Sequence, residues 1–432
     1  MHYHYLPKYT VMNGERIYDL CIVGAGLIGT AAASHASKWG SVCLVGPEEP
    51  KSRNVNDNRD IFGCHYDEGR ITRCTDPDPV WAMLAQKSIA TYRQLERDTG
   101  IPFYDEIGCL MIGEKDSKFL NQVTDVVKTQ KMDATYLTNA ALKEKFSFLH
   151  VSLSDDAVYE FKDAGNISPR SLIRAQITKA TAQGCTLLPE VANRVRRIER
   201  NGEYIMCIST DASHILAKKV LLATGAFTAF RELLPDELQL DVNLCPLTVA
   251  KVELSESDLG RIRKMPSVLY SGKGAKDWTK SFPRSEGDHI SWYMLPPVKY
   301  PDGKYYIKLG HFHDTSFKHF TTTKEVKEWF CHGGDNRLVD ATAELIRNIV
   351  KGVKLDRYHG DWCVITETQT GRPYIDTIHS QLGVSIGGNG YAAKSSDEIG
   401  RIAATMMMKN IWDSSIPKNV FQVKFRKESC KL

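Results

Sequence analysis

The sequence has no apolar run approaching the ~18 residues of a membrane-spanning helix, so no such span is expected. None of its 11 cysteines forms a Cys-x-x-Cys pair, and the odd number is scattered from Cys21 to Cys430. That pattern fits neither a disulfide framework nor a zinc site, and no metal is expected. The opening residues MHYHYLPKYT lack the apolar core of a secretory signal. A reducing compartment is the expectation, with most cysteines acting as small buried hydrophobes. An excess of one charge is missing too: 56 Lys and Arg face 52 Asp and Glu, leaving +4 over 432 residues. So small a charge leaves no nucleic-acid footprint. There is no internal repeat and no low-complexity tract.

What is present is an ordinary globular balance, with 42% hydrophobic and 25% charged residues. Such a chain can bury enough apolar surface to offset its ordering entropy, and its length allows two or three domains. The clearest local signal is a βαβ unit. Tyr18–Val23 is a short apolar run suited to a buried parallel strand. Gly24-Ala25-Gly26-Leu27-Ile28-Gly29 follows, then an Ala-rich helical stretch over Thr30–Trp39 and a second strand at Ser41–Val45. Residues 51–79 read as a long polar loop, and such loops inside compact domains are usually functional. Helices are expected at Val80–Asp98, Asp116–Phe146, Pro169–Gln183, Thr323–Val350 and Ser395–Met408. Strands dominate Val242–Leu309, and Gly383–Gly388 reads as a strand entering a glycine turn.

The Gly24-x-Gly26-x-x-Gly29 hexad sits between strand and helix, the context a dinucleotide site requires. The first glycine permits the tight turn, the second lets backbone approach the pyrophosphate, and the third lets helix pack on strand. The helix N-terminus attracts the phosphate charge. An acidic residue for the ribose should close the second strand. Here the candidates are Glu48 and Glu49, one or two positions late, with a pair of solvated turn residues as the alternative. The hexad alone does not separate NAD from FAD, although its N-terminal position and the segment VLLATGAF favour FAD.

With these residues in view, the chain resembles the FAD-dependent amine oxidases of the D-amino acid oxidase and glycine oxidase superfamily. Within it, the resemblance is to the monomeric sarcosine oxidase, N-methyltryptophan oxidase and pipecolate oxidase branch, with fructosyl-amino-acid oxidases as near relatives. Eight segments carry it in order: VGAGLIG, DEGRITR, YDEIGCLMIG, GNISPRSL, LLATGAF, YYIKLGH, DWCVITETQTGRPYID and GGNGYAAKSSDEIG. The resemblance implies an α/β plus β architecture, a Rossmann-like FAD-binding domain interleaved with a mixed antiparallel-sheet substrate domain. The expected division gives residues 17–104, 161–240 and 355–432 to FAD, and 105–160 and 241–354 to the substrate.

The same resemblance implies roles. Cys363, in a Cys-x-x-Thr-x-Thr pattern, corresponds to the covalent flavin attachment residue, and a thiolate is a suitable nucleophile for that link. Arg70 lies near the flavin, and Arg73 binds the substrate carboxylate, which the planar guanidinium fork matches. Lys308 promotes reaction with oxygen, because a fixed positive charge stabilises developing superoxide. Further cofactor contacts are implied at Val191, Gly225, Gly388 and Gly390, with Lys394 as an offset substrate- or cofactor-side lysine. Two departures stand out. The sarcosine-type histidine after the lysine is replaced by Phe312, flanked by His311 and His313, either of which is a candidate to be re-aimed into the pocket as a catalytic residue, and the tyrosine after the flavin cysteine is Ile365. Their loss argues against sarcosine itself and towards a larger or more apolar substrate.

The implied reaction is oxidation of an amino acid, secondary or N-substituted at the amine. FAD and O2 take part, imine hydrolysis follows, and hydrogen peroxide is formed. The alternatives are a flavin dehydrogenase feeding an electron carrier, a fructosyl-amino-acid oxidase-like activity, and a flavoprotein-like binding protein without catalysis. The last three residues, Cys430-Lys431-Leu432, resemble a peroxisomal address, so an import receptor and a peroxisomal location are expected, with the cytoplasm as alternative. A monomer or weak dimer is expected.

Overall fold

The apolar run near the start of the chain forms the strand Ile17–Val23, whose last four residues are fully buried. A computed structural model describes residues 16–50, 59–235, 238–275, 278, 289–311 and 319–426, and for His311 the backbone only. The expectations placed on Phe312, His313, the His311 side chain and Cys430-Lys431-Leu432 lie outside the described residues.

Ile17–Val23 is buried on both faces because it lies between parallel neighbours, Val42–Val45 and His214–Leu222. Such strands read as continuous apolar runs rather than alternations. The helix Leu27–Ala36 crosses back over them on an alanine face that packs against the helix Ala392–Lys409. The approach is close: a Cβ at Gly400 would lie 2.5 Å from the Ala31 Cβ. Around this core runs an eight-stranded sheet, extended by the hairpin Ala192–Arg200/Glu203–Thr210 and by Tyr374–His379 and Leu382–Ile386. The hairpin turns on Asn201 and Gly202, at φ 54° and 82°, as an Asn-Gly turn should.

The second sheet also has eight strands, in the order Tyr358–Thr368, Val242–Glu253, Tyr305–His311, Ile290–Lys299, Ser267–Gly272, Cys109–Glu114, Asp155–Glu160, Ala134–Leu137. All its pairings are antiparallel except Ser267–Gly272 with Cys109–Glu114. Period-2 alternation divides its faces. Ile307, Leu309, Ala250, Val252, Trp292 and Met294 point into one apolar core with the helix Asn336–Ile349. Lys308, Val249 and Cys363 line a cavity on the other side, facing the first sheet.

Three expectations shift. The strand Tyr358–Thr368, placed by sequence with the FAD-binding residues 355–432, pairs along its whole length with Val242–Glu253 and belongs to the second sheet. The helix expected over Asp116–Phe146 is two helices, Lys118–Thr129 and Asn139–Lys145, around the edge strand Ala134–Leu137. Two of that strand's four side chains are exposed, so it has no apolar signature of its own. The helix expected over Thr323–Val350 breaks at Gly333 into Thr323–His332 and Asn336–Ile349. Gly333 has φ 86°, and a Cβ there would lie 2.1 Å from the Trp362 ring.

Candidate active site

One cavity runs from the carboxyl ends of the parallel strands to the face of the second sheet that carries Lys308 and Cys363. At its first end lies the glycine turn. Gly24 has φ 114°, and a Cβ on it would lie 2.4 Å from the Ala223 oxygen. A Cβ on Gly29 would come within 1.8 Å of the Gly24 oxygen, so only glycine lets the helix sit this close. Gly26 faces open space and precedes the helix Leu27–Ala36 without a side-chain cap. The first helical amides are therefore open to an anion. Val191, Gly225, Gly388 and Gly390 continue the lining. These residues fit a dinucleotide.

The acidic candidates do not join them. Glu48 and Glu49 fall outside the cavity lining. Arg170 Nε donates to both Glu49 oxygens at 2.8 and 3.0 Å, and the Glu48 carbonyl accepts from Arg59. The strand ends at Val45, and of the residues after it Gly46 and Pro47 line the cleft while the two glutamates do not.

At the far end, two buried charge clusters face the cavity. In the first, the Lys308 ammonium is ion-paired with Asp67 and donates to the Gly69 oxygen at 2.8 Å. Arg70 holds the same carboxylate and donates to the Cys64 oxygen at 2.7 Å. The Tyr300 hydroxyl donates to the other Asp67 oxygen at 2.7 Å. Burial would raise the Asp67 carboxyl, but the Lys308 and Arg70 charges outweigh it and hold it well below the usual range. Burial pulls Lys308 down to about 8, with Asp67 opposing the shift. Gly310, two residues on, makes room over the strand: a Cβ there would lie 2.4 Å from the Tyr293 ring.

In the second cluster Arg73 Nη2 donates to Asp76 Oδ2 at 2.9 Å, and Lys394 Nζ lies 3.3 Å from the same oxygen. Lys394 also donates to the Trp81 carbonyl at 3.2 Å. Burial lowers Lys394 to about 8, with Asp76 opposing. Arg73 is 4% exposed, and its Nε finds no hydrogen-bond partner among the described residues. Glu160 fixes the backbone behind it, accepting from the Cys74 and Thr75 amides at 2.9 Å each. Two cations on one carboxylate leave a net positive charge, with a guanidinium N–H still to satisfy.

Cys363 lines the cavity between these ends, opposite Leu247 in the strand register. Its carbonyl accepts from Trp329 Nε1 at 3.0 Å, so the helix Thr323–His332 braces the strand behind it. Ile365 also lines the cavity. The structure thus brings Arg70, Arg73, Lys308, Lys394 and Cys363 into one cavity with the three turn glycines. Sequence reasoning passed over Asp67, Asp76 and Cys64. Asp67 lies inside the DEGRITR segment itself, and its nearness to Arg70 and Arg73, the two arginines singled out by the resemblance, was the available signal.

A cleft of this kind, a dinucleotide turn leading to buried cations beside a second sheet, defines a flavin-type oxidoreductase. The chain belongs to the FAD dependent oxidoreductase family described as DAO, which matches residues 19–406. A curated relative, N-methyl-L-tryptophan oxidase of Yersinia pestis (strain Pestoides F), is 26% identical over 220 residues. That alignment covers 50% of this chain and 56% of the relative, so the match spans little more than half of the curated protein. Among solved structures, the open form of NikD, an amino acid oxidase of nikkomycin biosynthesis, superposes with a TM-score of 0.71 at 17% identity, covering 95% of this chain and 98% of that one. L-proline dehydrogenase from P. horikoshii also gives 0.71, at 14% identity and 94% and 97% coverage. Amadoriase I from Aspergillus fumigatus gives 0.63, at 14% identity and 95% and 90% coverage. These likenesses establish the fold.

Proposed function

We propose that this chain is a FAD-dependent oxidase of an amino acid whose amine is secondary or N-substituted. The observation that carries the reading is Arg73, buried beside Lys394 over Asp76, with its Nε unpartnered and its side chain in the same cavity as the dinucleotide turn. Bound FAD would supply the two-electron acceptor chemistry, with O2 as the final acceptor and hydrogen peroxide as its product.

The chain's own residues hold, orient and charge the site. The turn Gly24-x-Gly26-x-x-Gly29 would carry the pyrophosphate, and Cys363 would anchor the flavin covalently. Arg73 and Lys394 bind the substrate carboxylate, and Asp76 fixes both cations from behind. Holding the carboxylate at a fixed place sets the amine-bearing carbon in orientation, which supplies much of the rate. Lys308 keeps a positive charge on the cavity wall where oxygen is reduced. The relative named for N-methyl-L-tryptophan supports an N-substituted amino acid with a bulky side chain, and so does the apolar wall formed by Leu269, Tyr293 and Ile365.

A peroxide-coupled screen over N-methyl amino acids, cyclic imino acids and glycated amino acids tests the reading. The expected result is peroxide release in air with at least one class. Turnover only with an artificial electron acceptor would show a dehydrogenase instead, and a colourless purified protein would remove the flavin altogether. Covalent attachment has a separate readout. Acid-precipitated wild-type protein is expected to stay yellow, and Cys363→Ser to release all its colour into the supernatant. Loss of colour from the wild type would reduce Cys363 to a cavity-lining thiol.

A further inference from the structure

Cys64 reaches the same place as Cys363 from the other side of the cavity. Its sulfur donates to the Val364 carbonyl at 2.9 Å, while Cys363 Sγ lies 3.7 Å from that same oxygen and 3.7 Å from the Cys64 carbonyl. The two sulfurs thus converge on one carbonyl oxygen, and Cys363 Sγ also approaches the Cys64 backbone. Both residues line the cavity, so small oxidants admitted there meet them together. Both are thiols rather than a disulfide in this structure. Arg70, which donates to the Cys64 carbonyl at 2.7 Å, sets a fixed cation beside the pair. The neighbouring Cys363 and burial push the Cys64 thiol well up, and the Arg70 cation opposes them, since a cation beside a thiol favours the thiolate, the reactive form.

We propose that Cys64 and Cys363 are a redox pair, whose disulfide in the flavin-free chain blocks covalent attachment of the cofactor. The inference rests on the reading of Cys363 as the attachment residue. Hydrogen peroxide is the oxidant. One thiolate attacks it, breaking the O–O bond to give a sulfenic acid and hydroxide. The second thiolate then attacks the sulfenic sulfur, forming the S–S bond as hydroxide leaves. Together two thiols and one peroxide give one disulfide and two waters, with two electrons passing from sulfur to oxygen. Cys363 in a disulfide has no thiolate left to bond the flavin, and a thiol reductant restores it. Peroxide, the product of the proposed reaction, would thereby restrain loading of further copies of the enzyme.

The test uses the full chain produced without flavin by riboflavin limitation. One portion is treated with a small excess of peroxide and another is kept reduced. Each is alkylated, digested without reductant and mapped by mass spectrometry, and a parallel sample of each is incubated with FAD. The expected result is a Cys64–Cys363 cross-linked peptide in the peroxide-treated sample only. Its covalent loading should fall roughly tenfold or more and return with dithiothreitol. Cys64→Ser and Cys64→Ala should load FAD to the same extent before and after peroxide. Absence of the cross-linked peptide, or variants that remain as peroxide-sensitive as the wild type, would overturn the pair. If the reduced wild type releases its FAD on acid precipitation, the attachment reading fails instead, and the peptide map still decides the disulfide.

Discussion

Replacing Arg73 with methionine is expected to lower kcat/KM for an amino-acid substrate by roughly 30- to 5,000-fold. That range follows from the about 2–5 kcal/mol lost when one partner of a buried hydrogen-bonded charge pair is removed. Arg73 is 4% exposed, so water does not replace it. The loss should fall mainly on KM, because the carboxylate is held alike in ground and transition states. Asp76 stays paired with Lys394, 3.3 Å away, so the variant leaves no isolated buried carboxylate. The control is the corresponding amine without its carboxyl group, on which wild type and variant should differ little. Equal losses on both substrates would show that Arg73 shapes the cavity rather than binding the carboxylate.

The second large effect belongs to Lys308. Lys308→Met is expected to slow reoxidation of the reduced enzyme by O2 by roughly 100- to 1,000-fold, the cost of removing one preorganised charge from a site of developing negative charge. Reduction by substrate should change far less, and stopped-flow measurement of the two half-reactions separates them. Burial lowers the Lys308 ammonium to about 8, so it is charged below that pH and neutral above it. Wild-type reoxidation should therefore fall as pH rises through about 8, while the methionine variant should show no such decline. Asp67 keeps Arg70 and Tyr300 as partners in the variant. Equal slowing of both half-reactions would make Lys308 a structural residue.

The parts of this site legible in sequence are those encoded over a short stretch. The glycine turn needs only a strand, six residues and a helix, and Gly24 and Gly29 each have a steric reason visible in the structure. Lys308 was legible because the segment YYIKLGH carries the family resemblance, and the structure puts it on the face opposite Ile307 and Leu309. The pairing of Lys394 with Arg73 was not legible, since it depends on Asp76, more than three hundred residues earlier in the chain. Asp67 escaped notice for the same reason: its partners Lys308 and Tyr300 lie more than two hundred residues further along the chain. Glu48 and Glu49 show the opposite failure. Their position in sequence was suggestive, but Arg170 holds the Glu49 carboxylate outside the cleft. The edge strand Ala134–Leu137 was hidden because solvent contact, not burial, sets half of its side chains.

The strand Tyr358–Thr368 belongs to the second sheet, and six residues later the chain enters Tyr374–His379 of the first. Cys363 therefore stands on the opposite wall of the cleft from the glycine turn. A cofactor held at both places acts as a rivet through two plates. Neither sheet could then open without straining or releasing it, so loading would join the two sheets into one unit that melts as a whole.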